Sequence, residues 1–391
     1  MTENRHIPEL RFPEFDGDWE KKKLGDLLEF KNGINASKEQ YGKGVKFINV
    51  LDILNNDFIT HDKIIGSVDV DSETADLYSV KYGDILFQRS SETREEVGTA
   101  NVYVDKDNNA TFGGFVIRGR KISEYVPVFL NKLLKTDSAR DEITSKSGGS
   151  TRYNVGQGTL SSVELLFPSL PEQKKIATFL TAIDKRINLL SKQKIQLELY
   201  KKGLMHKIFN QELRFKDDNG DDFPNWEEKR LGEIAFKKSS NISANSLSEN
   251  YGSYKIYGAT GFLQNVDFYR EKEAYISIIK DGAGVGRLFL CEPYTSVLGT
   301  LDIINIKDNN NLYFLYLLLS TIDFTKYITG STIPHIYFKD YSKEKLKIPN
   351  LDEQIKIASF LSIIDLQIEK TKYQIDKSIE YKKSLLQKLF I

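Results

Sequence analysis

PSLPEQKKIATFLTAIDKRINLLSKQKIQLELYKKGLMHKIFN, from Pro168 to Asn210, returns as PNLDEQIKIASFLSIIDLQIEKTKYQIDKSIEYKKSLLQKLFI, from Pro349 to Ile391. One constant offset aligns the two without a gap, and about 19 of roughly 43 positions are identical, the mark of an internal duplication. Apolar residues recur in alternating steps of four and three, which is the pattern of a long helix with one buried stripe. In the first copy the stripe is Ile176, Leu180, Ile183, Ile187, Leu190, Leu197, Leu204 and Ile208, with polar lapses at Lys194 and Lys201. In the second it is Ile357, Leu361, Ile364, Ile368, Ile375, Leu385 and Leu389, with lapses at Thr371, Ser378 and Lys382. Prolines stand only at the entrances (Pro168, Pro171, Pro349), where a first helical turn tolerates them.

A helix of about 40 residues is roughly 60 Å long, more than a compact domain of this size needs, so it projects or bridges. Burying some eight Leu or Ile side chains is worth on the order of 10 to 20 kcal/mol before entropy is subtracted, so the stripe demands a partner. The other copy is the obvious one. The resulting fold class is α+β: two β-rich domains separated by two long antiparallel helices forming an intramolecular coiled coil. The open alternative has each helix packing on its own domain or on another protein. Lysines within both stripes predict looser packing than in a zipper.

The 391 residues carry 55 basic and 55 acidic side chains, one cysteine and four histidines. That charge balance argues against coating nucleic acid by bulk charge and leaves room for local basic patches. Cys291 alone forms no internal disulfide, and His6, His61, His206 and His335 lack ligand spacing, so no metal site is expected. Met1 to Leu10 lacks a leader pattern, and LYFLYLLLSTI (Leu312 to Ile322) is too short to span a bilayer, so the expected localisation is cytoplasmic, with no membrane partner.

The duplication extends outward. ELRFPEFDGDWEKKKLGDL (Glu9 to Leu27) is echoed by ELRFKDDNGDDFPNWEEKRLGEI (Glu212 to Ile234), and Trp19 and Trp226 read as structural lead-ins packed on their domains. Short β-branched and aromatic runs then alternate with turn residues: VKFINV, DILFQRS, TANVYV and FGGFVIRG in one region, YKIYGATGF, EAYISIIK, RLFL and TLDIINIK in the other. Each region also holds one helix-like run, YVPVFLNKLLKT or LYFLYLLLSTI. Both close alike, GGSTRYNVGQGTLSSVELLFP (Gly148 to Pro168) matching TGSTIPHIYFKDYSKEKLKIP (Thr329 to Pro349). The domain plan is therefore 1–169, a spacer helix over 170–210, 211–350, and a second spacer helix over 351–391.

Two variable regions, each ending in a Gly-Ser-Thr loop and a proline-closed strand, each followed by P-x-L-x-E-Q-x-x-I-A-x-F-L, make the chain resemble the DNA-specificity subunits of type I restriction-modification systems. The resemblance covers the whole length. It implies two target-recognition domains, double-stranded DNA as ligand, docking of two modification (methyltransferase) subunits, and restriction (translocase/nuclease) subunits for cleavage. It implies a non-catalytic chain without its own cofactor, S-adenosylmethionine, ATP and Mg belonging to the partners. The residues agree: none of the nine prolines follows Asn, Asp or another Pro, so the amino-methyltransferase N/D-P-P-Y/F loop is absent, and no Gly-x-x-x-x-Gly-Lys-Ser/Thr phosphate loop occurs. GAGVG (Gly282 to Gly286) lies between strand-like runs rather than before a helix, which suits a tight turn and not a dinucleotide loop.

Base edges are read by hydrogen-bonding side chains, and these sit on loops. In the first domain the candidates are Gln88, Arg89, Ser90 and Arg94, then Lys146, Thr151, Arg152 and Tyr153. In the second they are Lys255, Tyr257 and Thr260, then Lys280 and Arg287, then Ser331, Thr332, His335 and Tyr337. A charged loop is equally compatible with plain solvation, and His335 with a structural role. Phe179, Phe360, Tyr200 and Tyr381, beside the seam, are candidates for docking partner subunits. The mechanism expected is a ruler in which each domain reads half of an asymmetric target and the helices fix the gap, with the centre-to-centre distance capped at roughly 17 base pairs. Two other classes stay open: a non-DNA adaptor gripping two proteins, and a fused nuclease built near Lys280 and Asp281.

Overall fold

The computed structural model describes residues 6–248, 251–307 and 310–391. Residues 1–5, half of the stretch read for a leader, lie outside them. The chain forms two compact units, Met1–Leu190 with Gln374–Ile391, and Ser191–Tyr373.

In the first unit, Glu20–Lys23 runs antiparallel to Glu164–Phe167, joining the lead-in to the strand that closes the domain. Beside it lies a four-stranded antiparallel sheet in the order Leu28–Asn32, Val116–Lys121, Ile85–Gln88, Ala100–Val102. A three-stranded sheet places Tyr41–Ile48 between Ser67–Val68 and Thr111–Phe112. The second unit repeats this plan. Glu227–Arg230 pairs with Lys345–Ile348. Its four-stranded sheet runs Ala235–Ser239, Leu301–Ile306, Tyr275–Ile279, Leu288–Cys291, and its three-stranded sheet places Tyr254–Gly258 between Gly261–Val266 and Ser296–Val297. The runs ILF and YISII lie on inner strands of these sheets and are buried along their whole length, Ser277 included. The helix-like runs are helices over Pro127–Leu133 and Leu312–Leu319.

Both long helices are unbroken, Leu170–Phe209 and Leu351–Leu389. In the first unit the start of the first helix (Ile176, Ala177, Leu180) shares one core with the end of the second (Leu385, Leu389, Phe390) and with domain residues Trp19, Phe129 and Phe167. In the second unit the roles exchange: Ile357, Leu361, Ile364 and Ile368 bury with Ile208, Leu231 and Phe314. Within each unit the helices therefore run antiparallel, as the coiled-coil reading expects. The end positions of the stripe are buried, whereas Ile183, Ile187, Leu190, Leu197 and Leu204 are only half-buried and so is Ile375, which matches the looseness read from the lysine lapses.

The Glu-Gln step of the repeated motif is the clamp between helix and domain. The buried Glu172 carboxylate takes two hydrogen bonds from Arg11, Nε to Oε1 at 2.9 Å and Nη2 to Oε2 at 2.8 Å. Glu353 does the same with Arg214, at 3.2 and 2.8 Å, and also accepts from Trp226 Nε1 at 3.0 Å. Such forked guanidinium–carboxylate pairs are the stronger kind of ionic hydrogen bond. The neighbouring glutamine ties two further elements. Gln173 Oε1 accepts from the Val126 amide that opens the domain helix, while its Nε2 donates to the Pro168 carbonyl. Gln354 repeats this with Asn311 and Pro349. Trp19 packs edge-on against Phe129 and Phe390, which accords with its lead-in role.

Candidate nucleic-acid interface

In the first unit two loops distant in sequence are zipped together. Ser90–Ser91 pairs with Tyr153–Asn154, so that Asn154 faces Ser90, and Val155 N donates to Arg89 O at 3.0 Å. Ser90 Oγ donates to Asn154 Oδ1 at 2.5 Å. The Gly-Ser-Thr loop is a hairpin tip closed by the Gly148–Asn154 bridge. Gly149 at its bend has φ +116, and a Cβ there would lie 2.1 Å from Arg152 O, which is why glycine holds the position. A third segment, the turn Gly113–Gly114–Phe115, joins them: Arg89 N donates to Phe115 O at 2.9 Å and Arg89 Nη1 to Gly114 O at 3.3 Å. Asn35 comes in from a fourth, since a Cβ on Gly114 would collide with its Oδ1.

The second unit rebuilds the junction with other side chains. Asp281 faces His335, a Thr329–His335 bridge closes the tip, and Ile336 N donates to Lys280 O at 3.0 Å. Gly330, with φ +89, bends it, and a Cβ there would lie 2.5 Å from Ile333 O. Lys280 thus occupies the place of Arg89, Asp281 that of Ser90, His335 that of Asn154, and Thr300, whose carbonyl accepts from Lys280 N, that of Phe115.

The candidate residues fare unequally in this geometry. Arg89, Ser90, Thr151, Arg152 and Tyr153 come together at the first junction, and Lys280, Ser331, Thr332 and His335 at the second. Gln88 is buried, its amide donating to Ser90 O, so it shapes the turn and offers no surface group. Lys146 is engaged by Glu142 and the Ser162 carbonyl, at 2.8 and 2.7 Å. Lys280 meets the buried Asp302 at 3.3 Å. Arg94 is exposed on its own loop and reaches Thr144 O, and Arg287 is exposed beside the Gly284 bend. His335 stacks edge-on against Tyr337, ring centroids 5.2 Å apart. Lys255, Tyr257 and Thr260 belong to a separate hairpin: Lys255 pairs with Glu292 at 2.7 Å, and burial pushes the Tyr257 phenol up to about 12. Asn35, Phe115 and Asn154 were not legible as candidates, being single exposed residues among turn residues with no periodicity to mark them.

Two of the docking candidates need correction. Phe179 and Phe360 are covered edge-on by Phe12 and Phe215 of the lead-ins, at 5.7 and 5.3 Å, because each ELRF segment lies across its own long helix. Tyr200 and Tyr381 are 57% and 56% exposed.

Among the described residues no cluster of His, Cys, Asp or Glu suits a metal ion, and no helix is long and apolar enough to cross a membrane. A family model described as the type I restriction modification DNA specificity domain matches residues 16–199 and again 224–381. The chain belongs to this family. It is the DNA-specificity component of such a system, not a catalytic one, and the adaptor and nuclease readings fall away. The MjaX specificity subunit of Methanocaldococcus jannaschii is 28% identical, with 96% of this chain and 92% of that protein aligned. The MjaIX specificity subunit of the same organism is 26% identical over 90% and 87%. Among solved structures, the S subunit from M. genitalium has the same fold, with a TM-score of 0.64 at 18% identity, covering 98% of this chain and 99% of its own. A chain from a structure of type I complex assembly and conformational transition gives 0.56 at 17%, covering 95% and 97%.

Proposed function

We propose that each unit of this specificity-family chain reads one half of an asymmetric, bipartite double-stranded DNA target, and that the paired long helices fix the gap. The observation that carries this is the repeated loop junction: one backbone arrangement, offered twice, with Arg89, Ser90, Arg152 and Asn154 in one copy and Lys280, Asp281, Ile333 and His335 in the other. A shared scaffold with unlike side chains makes the same kind of contact to different bases. The long helices, with Tyr200 and Tyr381 exposed on them, are the surface for two methyltransferase subunits. Those partners and the restriction subunits would carry S-adenosylmethionine, ATP and Mg, and the complex would act in the cytoplasm, where the chromosome is.

Methylome sequencing of a host expressing the chain with its cognate methyltransferase tests this. An asymmetric motif in two parts around an unspecified gap is expected. A single uninterrupted motif, or methylation indifferent to this chain, contradicts it.

A further inference from the structure

The two hairpin tips have the same backbone solution and differ in the residue next after Gly-Ser-Thr: Arg152 in the first, Ile333 in the second. Arg152 is exposed, and its guanidinium lies over the Phe115 ring, 5.6 Å from the centroid. Among the described residues its N–H groups meet no protein acceptor, so the fork remains available. Phe115 is 61% exposed, an expensive place for a large aromatic, and it is held there by the two hydrogen bonds from Arg89. The arrangement is a ring that fixes the plane of a guanidinium while leaving its donors outward. Ile333 is 61% exposed and brings no side-chain donor, and Thr300, whose carbonyl accepts from Lys280 N as that of Phe115 accepts from Arg89 N, has no ring to offer.

We infer that Arg152, steadied by Phe115, reads a guanine through its O6 and N7 in the half-site of the first unit, and that Ile333 offers a methyl contact to a thymine at the counterpart position of the other half-site. A planar fork matches the two guanine acceptors, which no other base presents together in the major groove, and an apolar side chain matches the thymine methyl. Stacking on an aromatic face limits the motion the side chain must surrender on binding. Arg89 is then a positioning residue, acting through the Phe115 turn. This inference rests on the half-site reading proposed above.

The test uses the full chain assembled with its methyltransferase subunits and DNA duplexes carrying the methylome-derived target or single base-pair changes at every position. The wild type should prefer guanine at one position of one half-site by about tenfold to a hundredfold. Arg152→Ala should cut that preference to below about threefold while discrimination elsewhere holds, and Arg152→Lys, which keeps the charge and loses the fork, should do the same. Equal weakening on all duplexes would mark a phosphate contact and overturn the inference, as would an undiminished guanine preference in either variant, or a wild-type target with no guanine in either half. If Arg152→Ala fails to assemble, Arg152→Lys decides alone. Ile333→Arg supplies an independent arm, expected to replace a thymine preference in the other half-site with one for guanine; a target lacking thymine there, or no change, counts against it. A target in one uninterrupted piece would sink the half-site reading itself, and this inference with it.

Discussion

Lys382 donates to Asp184 at 2.6 Å, and the residues that hold the same places in the other copy, Lys201 and Asp365, meet at the same 2.6 Å. Each long helix thus contributes an aspartate near its start and a lysine near its end, and each aspartate takes the lysine of the opposite helix. The lysines are the very lapses that interrupt the stripe. Asp184 is further tied to Lys132 of the first domain helix, and Asp365 to the Tyr313 hydroxyl of the second. The pairs lock helix to helix and helix to domain at one point in each unit, and a polar group at a seam sets register at some cost in stability.

Asp184→Ala should destabilise the first unit by about 1–3 kcal/mol, because Lys132 and Lys382 lose their shared acceptor and Lys132 is buried. Denaturant titration checks it. Changing Lys132, Asp184 and Lys382 together to apolar residues should recover part of the loss, since a well-packed apolar cluster can equal a buried ionic one.

The same carboxylate gives a pH dependence. Burial pushes the Asp184 carboxyl up, but hydrogen bonds from Lys132 and Lys382 outweigh it and hold it below its usual value. A depressed native carboxyl contributes fully above the unfolded value of about 3.9 and loses its contribution as pH falls through the native one. The melting-temperature gap between wild type and Asp184→Asn should therefore be widest near neutrality and close below about pH 4.

Glu353→Ala should cost about 3–5 kcal/mol in the second unit, for it strands Arg214 and the Trp226 indole N–H around an empty site. Glu172→Ala should act alike on the first unit through Arg11. Hydrogen exchange resolves the units: each change should raise exchange in its own and spare the other.

Gly149→Ala should weaken DNA binding by the assembled complex while shifting its melting temperature little, because the strain falls on an exposed hairpin tip. Gly330→Ala should behave likewise for the other half-site.

Lys146→Ala and Lys255→Ala should leave the salt dependence of DNA affinity unchanged. Both amines are already engaged by carboxylates, Glu142 and Glu292, so neither is free to displace a counterion. Affinity measured from about 50 to 200 mM salt decides this; a slope shallower by about one would show a phosphate contact.

Much of the frame was legible in the chain because periodicity and repetition are cooperative signals: Ile176, Leu180, Ile357 and Leu361 announce the helices, and their constant offset announces the pairing. The partners of the lapses were not. Asp184 and Asp365 sit one step off the stripe, where an acid reads as solvated, and nothing local links them to lysines on the other helix. The Glu-Gln motif was visible as a repeat, but its meaning depends on Arg11, far away in sequence. The equivalence of Arg89 with Lys280 stayed hidden because the loops between that point and the Gly-Ser-Thr tip differ in length, which breaks the offset that aligns the helices. Phe115 meets Arg152 across loops far apart in sequence, and no local periodicity marks a contact of that kind.

The most direct test of two independent readers on one frame is to replace Phe30 to Phe167 with the corresponding region of another family member and sequence the methylome. One half of the methylated motif should change while the other half and the gap stay as they were. A motif altered in both halves, or in neither, would contradict it.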